Sequence, residues 1–240
     1  MNLKLSAAAP FVTVAGLAIS ISAHAADLGA RYANEPTTYW TGFYVGANIG
    51  GALSRENALT PLGSFSPDPS GVLGGAQFGY NFLLVPNWLL GIEGELDWTS
   101  AQGNVIIANS VATATVTSNH NWYDTLDARL GFVQGPWMYY VKGGAAWMNA
   151  DYLATGNNAN GVNAGASVSN TRTGWTIGAG VEYTFAPGWS AKFEYDYLDF
   201  GSENLVFGNI SSSIDFATQV HEIKLGVNFR WLPGTLFGLF

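Results

Sequence analysis

The chain has 240 residues, no cysteine, a formal net charge of −8, and only 11% charged residues beside 14% aromatic ones. The acidic balance excludes a nucleic-acid partner, which demands a basic face; the lack of cysteine excludes a disulfide framework and a thiolate metal site. Charged residues make up roughly a quarter of an ordinary soluble domain, so a chain this uncharged, with 30 glycines, needs a setting other than water over part of its surface.

The first element is an address. Lys4 supplies a positive start, Pro10 to Ile21 is apolar, and Ala23-His24-Ala25 has the small-x-small pattern of a cleavage site. Residues 1–25 therefore read as a secretory signal peptide, cut between Ala25 and Ala26. Residues 26–39 lack periodicity and form an N-terminal periplasmic segment. No later apolar run reaches the roughly 18 residues that a spanning helix needs. A chain that enters a membrane without such helices must do so as closed β-structure, because lipid offers no partner for an open backbone group.

From Phe43 onward the sequence alternates with the period of a strand. Residues 42–53 put Phe43, Val45, Ala47 and Ile49 on one face, and 73–82 do the same with Ala76, Phe78, Tyr80 and Phe82. Residues 88–98 set Ile92, Leu96 and Trp98 against Glu93, Glu95 and Asp97. Residues 122–132 set Leu126, Ala128, Leu130 and Phe132 against Asp127 and Arg129, with Asp124 intruding on the apolar face. Residues 137–147 set Tyr139, Val141, Ala145 and Trp147 against Tyr140 and Lys142. The clearest alternation is 175–185, where Trp175, Ile177, Ala179, Val181, Tyr183 and Phe185 oppose a face carrying Glu182. In 189–197, Trp189, Ala191, Phe193, Tyr195 and Tyr197 oppose Ser190, Lys192, Glu194 and Asp196. In 223–231, Ile223, Leu225, Val227, Phe229 and Trp231 oppose Lys224, Gly226, Asn228 and Arg230, with Glu222 just before on the polar parity.

The connections alternate in length. Residues 83–87, Gln134-Gly135-Pro136 and Ala186-Pro187-Gly188 are tight turns by residue type. The stretches 54–71, 99–121, 148–173 (with Arg172) and 201–218 are long and rich in Asn, Ser, Thr, Gly and Ala. Trp88, Trp137, Trp189 and Trp231 mark the short-turn end, and Trp98, Trp122, Trp147 and Trp175 the loop end. Trp40 alone fits poorly; it has the inward parity and precedes the first strand. Four strands run between aromatics ten positions apart, which keeps both ends on one face. At roughly 3.3 Å per residue and a tilt near 40°, ten positions rise about 25 Å, the height of a lipid-facing band. Amphipathic rings settle at the headgroup level, so the tryptophans read as two aromatic girdles. The expected fold is all-β: an eight-stranded antiparallel up-and-down transmembrane β-barrel over residues 40–231, with four long extracellular loops, short periplasmic turns and an apolar tail at 232–240.

The polar faces then form the lumen. They carry Glu93, Glu95, Asp97, Asp127, Glu182, Glu194, Asp196 and Glu222 against Arg129, Lys142, Lys192, Lys224 and Arg230. A carboxylate pair for glycoside cleavage or an ion path is one reading. The other is a packed interior of ion pairs, since eight strands leave just enough room for side chains. Buried charges must pair or they cost several kcal/mol, and the surplus acids must protonate, bind water or face the rims. Glu93, on the adjacent strand, is the expected partner of Arg129. His120 with Asp124 is the one conceivable catalytic pairing, with no partnered nucleophile in view. Asp68, Asp151, Glu203 and Asp215 are too scattered for a calcium loop. No catalytic, cofactor or metal site is expected, and the glycines read as room for large lumen neighbours.

Trp40-Thr41-Gly42-Phe43-Tyr44-Val45-Gly46, Asp127-Ala128-Arg129-Leu130-Gly131, Tyr140-Val141-Lys142-Gly143-Gly144, Gly174-Trp175-Thr176-Ile177-Gly178-Ala179-Gly180-Val181-Glu182 and Tyr195-Asp196-Tyr197-Leu198-Asp199-Phe200-Gly201 resemble the 25/31-kilodalton outer-membrane protein family of alpha-proteobacteria. The similarity spreads over residues 40–231. It implies a porin-like small barrel in the outer membrane of a Gram-negative cell, in contact with lipid and lipopolysaccharide. Lys224, Gly226, Phe229 and Trp231 resemble the signal read by the outer-membrane assembly machinery; in the family the chain normally stops there, whereas here an apolar tail runs from Leu232 to Phe240. Ala26-Asp27 matches a pair that some relatives link to peptidoglycan. Three functions follow: a structural barrel for envelope integrity and surface presentation; a narrow channel for ions or small solutes; or a surface receptor or adhesin, haem-binding by analogy with some relatives, acting through the long loops.

Overall fold

A computed structural model describes residues 37–60, 63–108, 112–158, 163–206 and 213–231. The signal segment with the Ala25/Ala26 junction, residues 26–36 and the tail 232–240 lie outside the described residues. A 3-10 helix (Thr37–Trp40) leads into ten strands: β1 (Gly42–Thr60), β2 (Gly63–Phe65), β3 (Ser70–Val85), β4 (Trp88–Thr99), β5 (Gln102–Ala108), β6 (Ala112–Gln134), β7 (Trp137–Asn158), β8 (Asn163–Ala186), β9 (Trp189–Val206) and β10 (Ser213–Arg230).

Eight of these close into a ring in the order β1, β10, β9, β8, β7, β6, β4, β3 and back to β1, with every pairing antiparallel. Closure removes the sheet edges that would leave backbone groups bare in lipid. The expected tight turns stand between β3 and β4, β6 and β7, and β8 and β9. Positive φ at Asn87 (66°) and Gly188 (74°), each after a proline, fits the third position of a type II turn.

Side chains alternate as the sequence pattern requires. Phe43, Val45, Ile49, Phe78, Ile92, Leu126, Val141, Ile177, Phe193, Ile223 and Leu225 point outward and are exposed. Such an apolar belt would be a liability in water and is the expected surface in hydrocarbon. Among the described residues no helix is long and apolar enough to cross a membrane.

The long connections are largely strand. β1, β6, β7, β8, β9 and β10 all run past the upper tryptophans, so the ring continues beyond the lipid band as an extracellular collar. Loop-like composition masked this, because small Thr, Ser, Ala, Asn and Gly side chains dominate there and aromatics such as Tyr152 and Phe216 are few. Two bulges assist. Asn121 is inserted between His120 and Trp122, which turns His120 inward above Tyr123. Gly201, at φ 61°, marks a register shift opposite Ala217 and Gln219.

Trp40 does not join a girdle. It is 3% exposed and plugs the lower lumen with Leu89, Val133, Met138 and Tyr140. Its ring lies 4.9 Å from the Arg230 guanidinium, and its carbonyl accepts from Asn81. The inward parity read from the sequence is the reason.

Candidate functional site: the charged lumen

All thirteen charged residues assigned to the lumen point inward, and none is more than 3% exposed. The surplus acids therefore do not face the rims. The charges form two layers. In the lower one Arg129 reaches Glu93 at 3.0 Å and Glu182 at 3.1 Å, and Arg230 also reaches Glu182 at 3.3 Å. Ser190 and Asn228 donate to the same Glu182 carboxylate. The Tyr44 hydroxyl donates to Glu93 and accepts from Arg129, while the Arg129 guanidinium stacks 4.1 Å from the Tyr140 ring centre. These tyrosines need the glycines beside them: a Cβ on Gly79 would come within 2.3 Å of the Tyr44 oxygen, and one on Gly180 within 2.4 Å of the Tyr140 oxygen.

The central layer is built on three lysines. Lys142 lies 3.0 Å from Glu95 and 2.9 Å from Glu194, with Asp196 at 3.4 Å, Asp127 at 3.6 Å and Glu93 at 3.7 Å. Lys192 bridges Glu95 and Glu194. Lys224 touches five carboxylates: Glu95, Asp97, Glu194, Asp196 and Glu222. Asp196 and Glu222 stand directly opposite each other on β9 and β10, and both reach the Lys224 ammonium, with Lys142 on the other side of Asp196. Asn48 and Gln77 extend the network, Asn48 donating to Asp97 and Gln77 to Asn228.

This arrangement bears on the readings of the carboxylates. One oxygen each from Glu93, Glu95 and Glu194 falls within 4.8 Å of the others, spacing that would suit a cation. The Lys142 and Lys192 ammonium groups already hold that position. The same contacts set ammonium nitrogens between the carboxylates that a glycoside-cleaving pair would keep free for a sugar.

A third, extracellular layer was not read from the sequence. Glu56 is fully buried and accepts from His120 at 2.9 Å, Tyr152 at 3.3 Å and Thr218 at 3.3 Å. The other His120 nitrogen meets Tyr123 at 2.6 Å and Ser54 at 3.4 Å. The conceived His120–Asp124 pair is overturned: Asp124 sits on the outward face opposite Leu96 and Trp147. Burial beside the Glu56 carboxylate raises the Tyr152 phenol above its ordinary value. Arg172 is no loop residue either; 2% exposed, it donates to Thr218 and to the carbonyls of Phe200, Gly201 and Phe216, and pairs with Glu203. It supplies donors to carbonyls that the bulge at Gly201 would otherwise strand. Above Glu56, Phe216 packs against Phe65 and the Tyr152 ring, and these belong to one apolar cluster with Phe200 beside the layer and Val220 below it, opposite Ser54. Continuing the even-numbered parity of Ala52 through Ser54 to Glu56 would have found Glu56.

The girdle tryptophans Trp88, Trp98, Trp137, Trp175 and Trp189 are exposed on the outer face; Trp122, Trp147 and Trp231 are half-buried. In the last strand Lys224 and Gly226 face inward, and Phe229 packs at a steep angle between the rings of Trp189 and Trp231.

The family model for the outer membrane protein beta-barrel domain matches residues 11–230. The 31 kDa outer-membrane immunogenic protein of Brucella melitensis is 30% identical over 228 residues, covering 88% of this chain and 94% of that protein. The 25 kDa outer-membrane immunogenic protein of Brucella abortus is 26% identical, covering 92% and 96%, and the 22 kDa outer membrane protein of Rhizobium leguminosarum is 25% identical, covering 82% and 81%. Among solved structures, OprG of Pseudomonas aeruginosa aligns over 80% of this chain and 97% of its own at 10% identity, with a TM-score of 0.46. The chain belongs to the outer-membrane β-barrel proteins, in the alpha-proteobacterial 25/31-kilodalton family, and it resides in the outer membrane.

Proposed function

We propose that this protein is a closed structural barrel that reinforces the envelope and presents a rigid extracellular collar, with lipid and lipopolysaccharide against its outer face. One observation carries the reading: the lumen charges are interlocked and at most 3% exposed. In a water-filled pore such side chains would meet solvent. Here Trp40 and its neighbours close the lower end, and the Phe216–Tyr152 cluster closes the upper. The immunogenic character in the names of the Brucella relatives supports display at the surface. The reading gives the chain no reaction to catalyse, and the narrow-channel alternative is the outcome that would replace it. Planar-bilayer recording of refolded protein tests it. A closed barrel gives no unitary conductance steps; steady steps that vanish when Lys142, Lys192 and Lys224 are altered would establish a channel instead.

A further inference from the structure

The outer face of the lipid band carries a groove beside β1. On β4 the outward series Trp88, Leu90, Ile92, Leu96 and Trp98 is broken by Gly94. The Phe78 ring of β3 lies over that glycine, where a Cβ would come within 2.8 Å of the ring's Cζ. Phe78 therefore leans toward β4 and away from its other cross-strand neighbour, Val45 on β1. Beside it opens a groove of about 490 Å³, walled by Phe43, Val45, Phe78, Ile92, Leu126 and Trp231, with no charged side chain in its lining. Phe43 and Tyr80 meet edge to face at 4.7 Å, which steadies one wall.

The groove has the depth of one leaflet. Its lower end is Trp231 in the short-turn girdle, tied to β1 where the Trp231 N–H donates to the Phe43 carbonyl at 3.2 Å. Its upper end is Gly94 and Leu126. Gly94 lies four positions from Trp98 and six from Trp88, and Leu126 four from Trp122 and six from Phe132. These spacings put the upper end near mid-membrane. Half of a hydrocarbon core is roughly 15 Å, the reach of one acyl chain.

We infer that this groove seats one acyl chain of a glycerophospholipid from the periplasmic leaflet, and holds it longer than the rest of the belt holds lipid. The groove is continuous with the lipid-facing belt and opens at the periplasmic girdle. Between apolar neighbours in a membrane the hydrophobic effect does not choose; packing does. A chain in a groove touches protein on several sides, whereas on a convex wall it touches one. Lipopolysaccharide enters from the other leaflet and would meet only the Leu126 end. The tail from Leu232 to Phe240 is apolar and follows Trp231, but laid in hydrocarbon it would leave its N–H groups without partners. A second copy about a two-fold axis at the groove would set concavity against concavity. The inference rests on the outer face lying in lipid and is indifferent to whether the lumen conducts.

The full chain is refolded into dioleoyl-phosphatidylcholine vesicles doped with a phosphatidylcholine that carries a diazirine midway along one acyl chain. After irradiation, mass spectrometry counts lipid adducts peptide by peptide. Adducts on residues 43–45 and 78–80 should exceed those around Ile177, an outward β8 residue that is 55% exposed, by about fivefold, the effect of a handful of extra atom contacts. Val45→Trp fills the groove, and Gly94→Leu drives the Phe78 ring back across it. Each should remove the excess, and Ile177→Trp should leave it. Heat-modifiable gel mobility confirms that each variant folds. Even labelling of the belt overturns the inference, as does an excess that survives both filling variants. Loss of the excess on adding lipid A would assign the groove to the other leaflet's lipid and overturn it. Labelling that rises once the chain is cut after Trp231 would make the tail the occupant, and a dimer in sedimentation that Val45→Trp abolishes would make it a second copy; either result overturns the inference too.

Discussion

The Arg129 guanidinium stands 3.0 Å from a carboxylate oxygen of Glu93 on the neighbouring strand, and both side chains are shut away from solvent. The same guanidinium serves Glu182 across the lumen, with the Tyr140 ring on its face. Truncating one partner of such a group leaves uncompensated buried charge. Arg129→Ala should therefore lower barrel stability by about 3–5 kcal/mol, against less than about 0.5 kcal/mol for the exposed Arg55→Ala. Urea-denaturation midpoints of the barrel refolded in detergent give the comparison, and equal midpoints would rule out a paired interior.

Arg172 is the wrong control for that experiment, although its sequence neighbourhood is loop-like. Its guanidinium reaches Thr218 and the Phe200, Gly201 and Phe216 carbonyls. Arg172→Ala strands these acceptors above the lipid band, a loss of about 1–3 kcal/mol per group left unsatisfied. The expected result is local: β8–β10 of the collar should gain hydrogen exchange and protease sensitivity while the transmembrane strands keep their protection. Uniform loosening, or none, would count against the stapling role.

The two arginines show where legibility ended. Within the lipid band lipid enforces alternation on one face and ion pairing enforces it on the other, so the strand pattern and the tryptophan spacing sufficed to read eight strands. Beyond the girdles the outer face carries small polar residues that water tolerates at either parity, and the inner face is marked only by scattered large side chains such as Tyr152 and Phe216. The Asn121 insertion then shifts the inward set from Tyr123 to His120, which a fixed two-residue period does not anticipate. His120 was invisible for that reason; Glu56 and Arg172 keep the inward parity of Ala52 and Thr176 but lie beyond the read bounds of their strands, at Leu53 and Trp175. Tyr44 and Tyr140 were placed by parity, but their bonds to Glu93 and Glu194 depend on distances across the lumen.

Tyr152 makes the collar sensitive to alkali. Burial and then the Glu56 carboxylate raise its phenol above the ordinary 10.0, so the folded state favours the neutral ring. Its contribution is fully present below the unfolded value and is lost as pH climbs from there through the folded value. Collar stability, followed by hydrogen exchange at Met148 and Tyr152, should fall more steeply above about pH 10 in the unaltered protein than in Tyr152→Phe. Parallel pH profiles would remove Tyr152 from the account.

The outer face supplies the sharpest test of where the membrane lies. Val141 is 55% exposed and sits between the Trp137 and Trp147 levels, four positions from one and six from the other. Its cross-strand neighbours are Leu130 and Ala179, and Val181 and Val227 share its outward parity. An arginine there must put a guanidinium into hydrocarbon near mid-depth or bend toward an interface, which costs about 2–4 kcal/mol. Thr113 is also outward and exposed, but it lies near the far end of β6, opposite Ala108 and Asn157 in the collar. Thr113→Arg meets water and should cost little. Refolding yield into lipid vesicles and the urea midpoint should both drop for Val141→Arg and hold for Thr113→Arg. Inward neighbours behave differently again: Lys142, one residue on, already carries a charge that five carboxylates accommodate. If Val141→Arg folds into vesicles as well as Thr113→Arg, β7 does not cross the bilayer in this register, and the exposed apolar belt must be covered by something other than lipid.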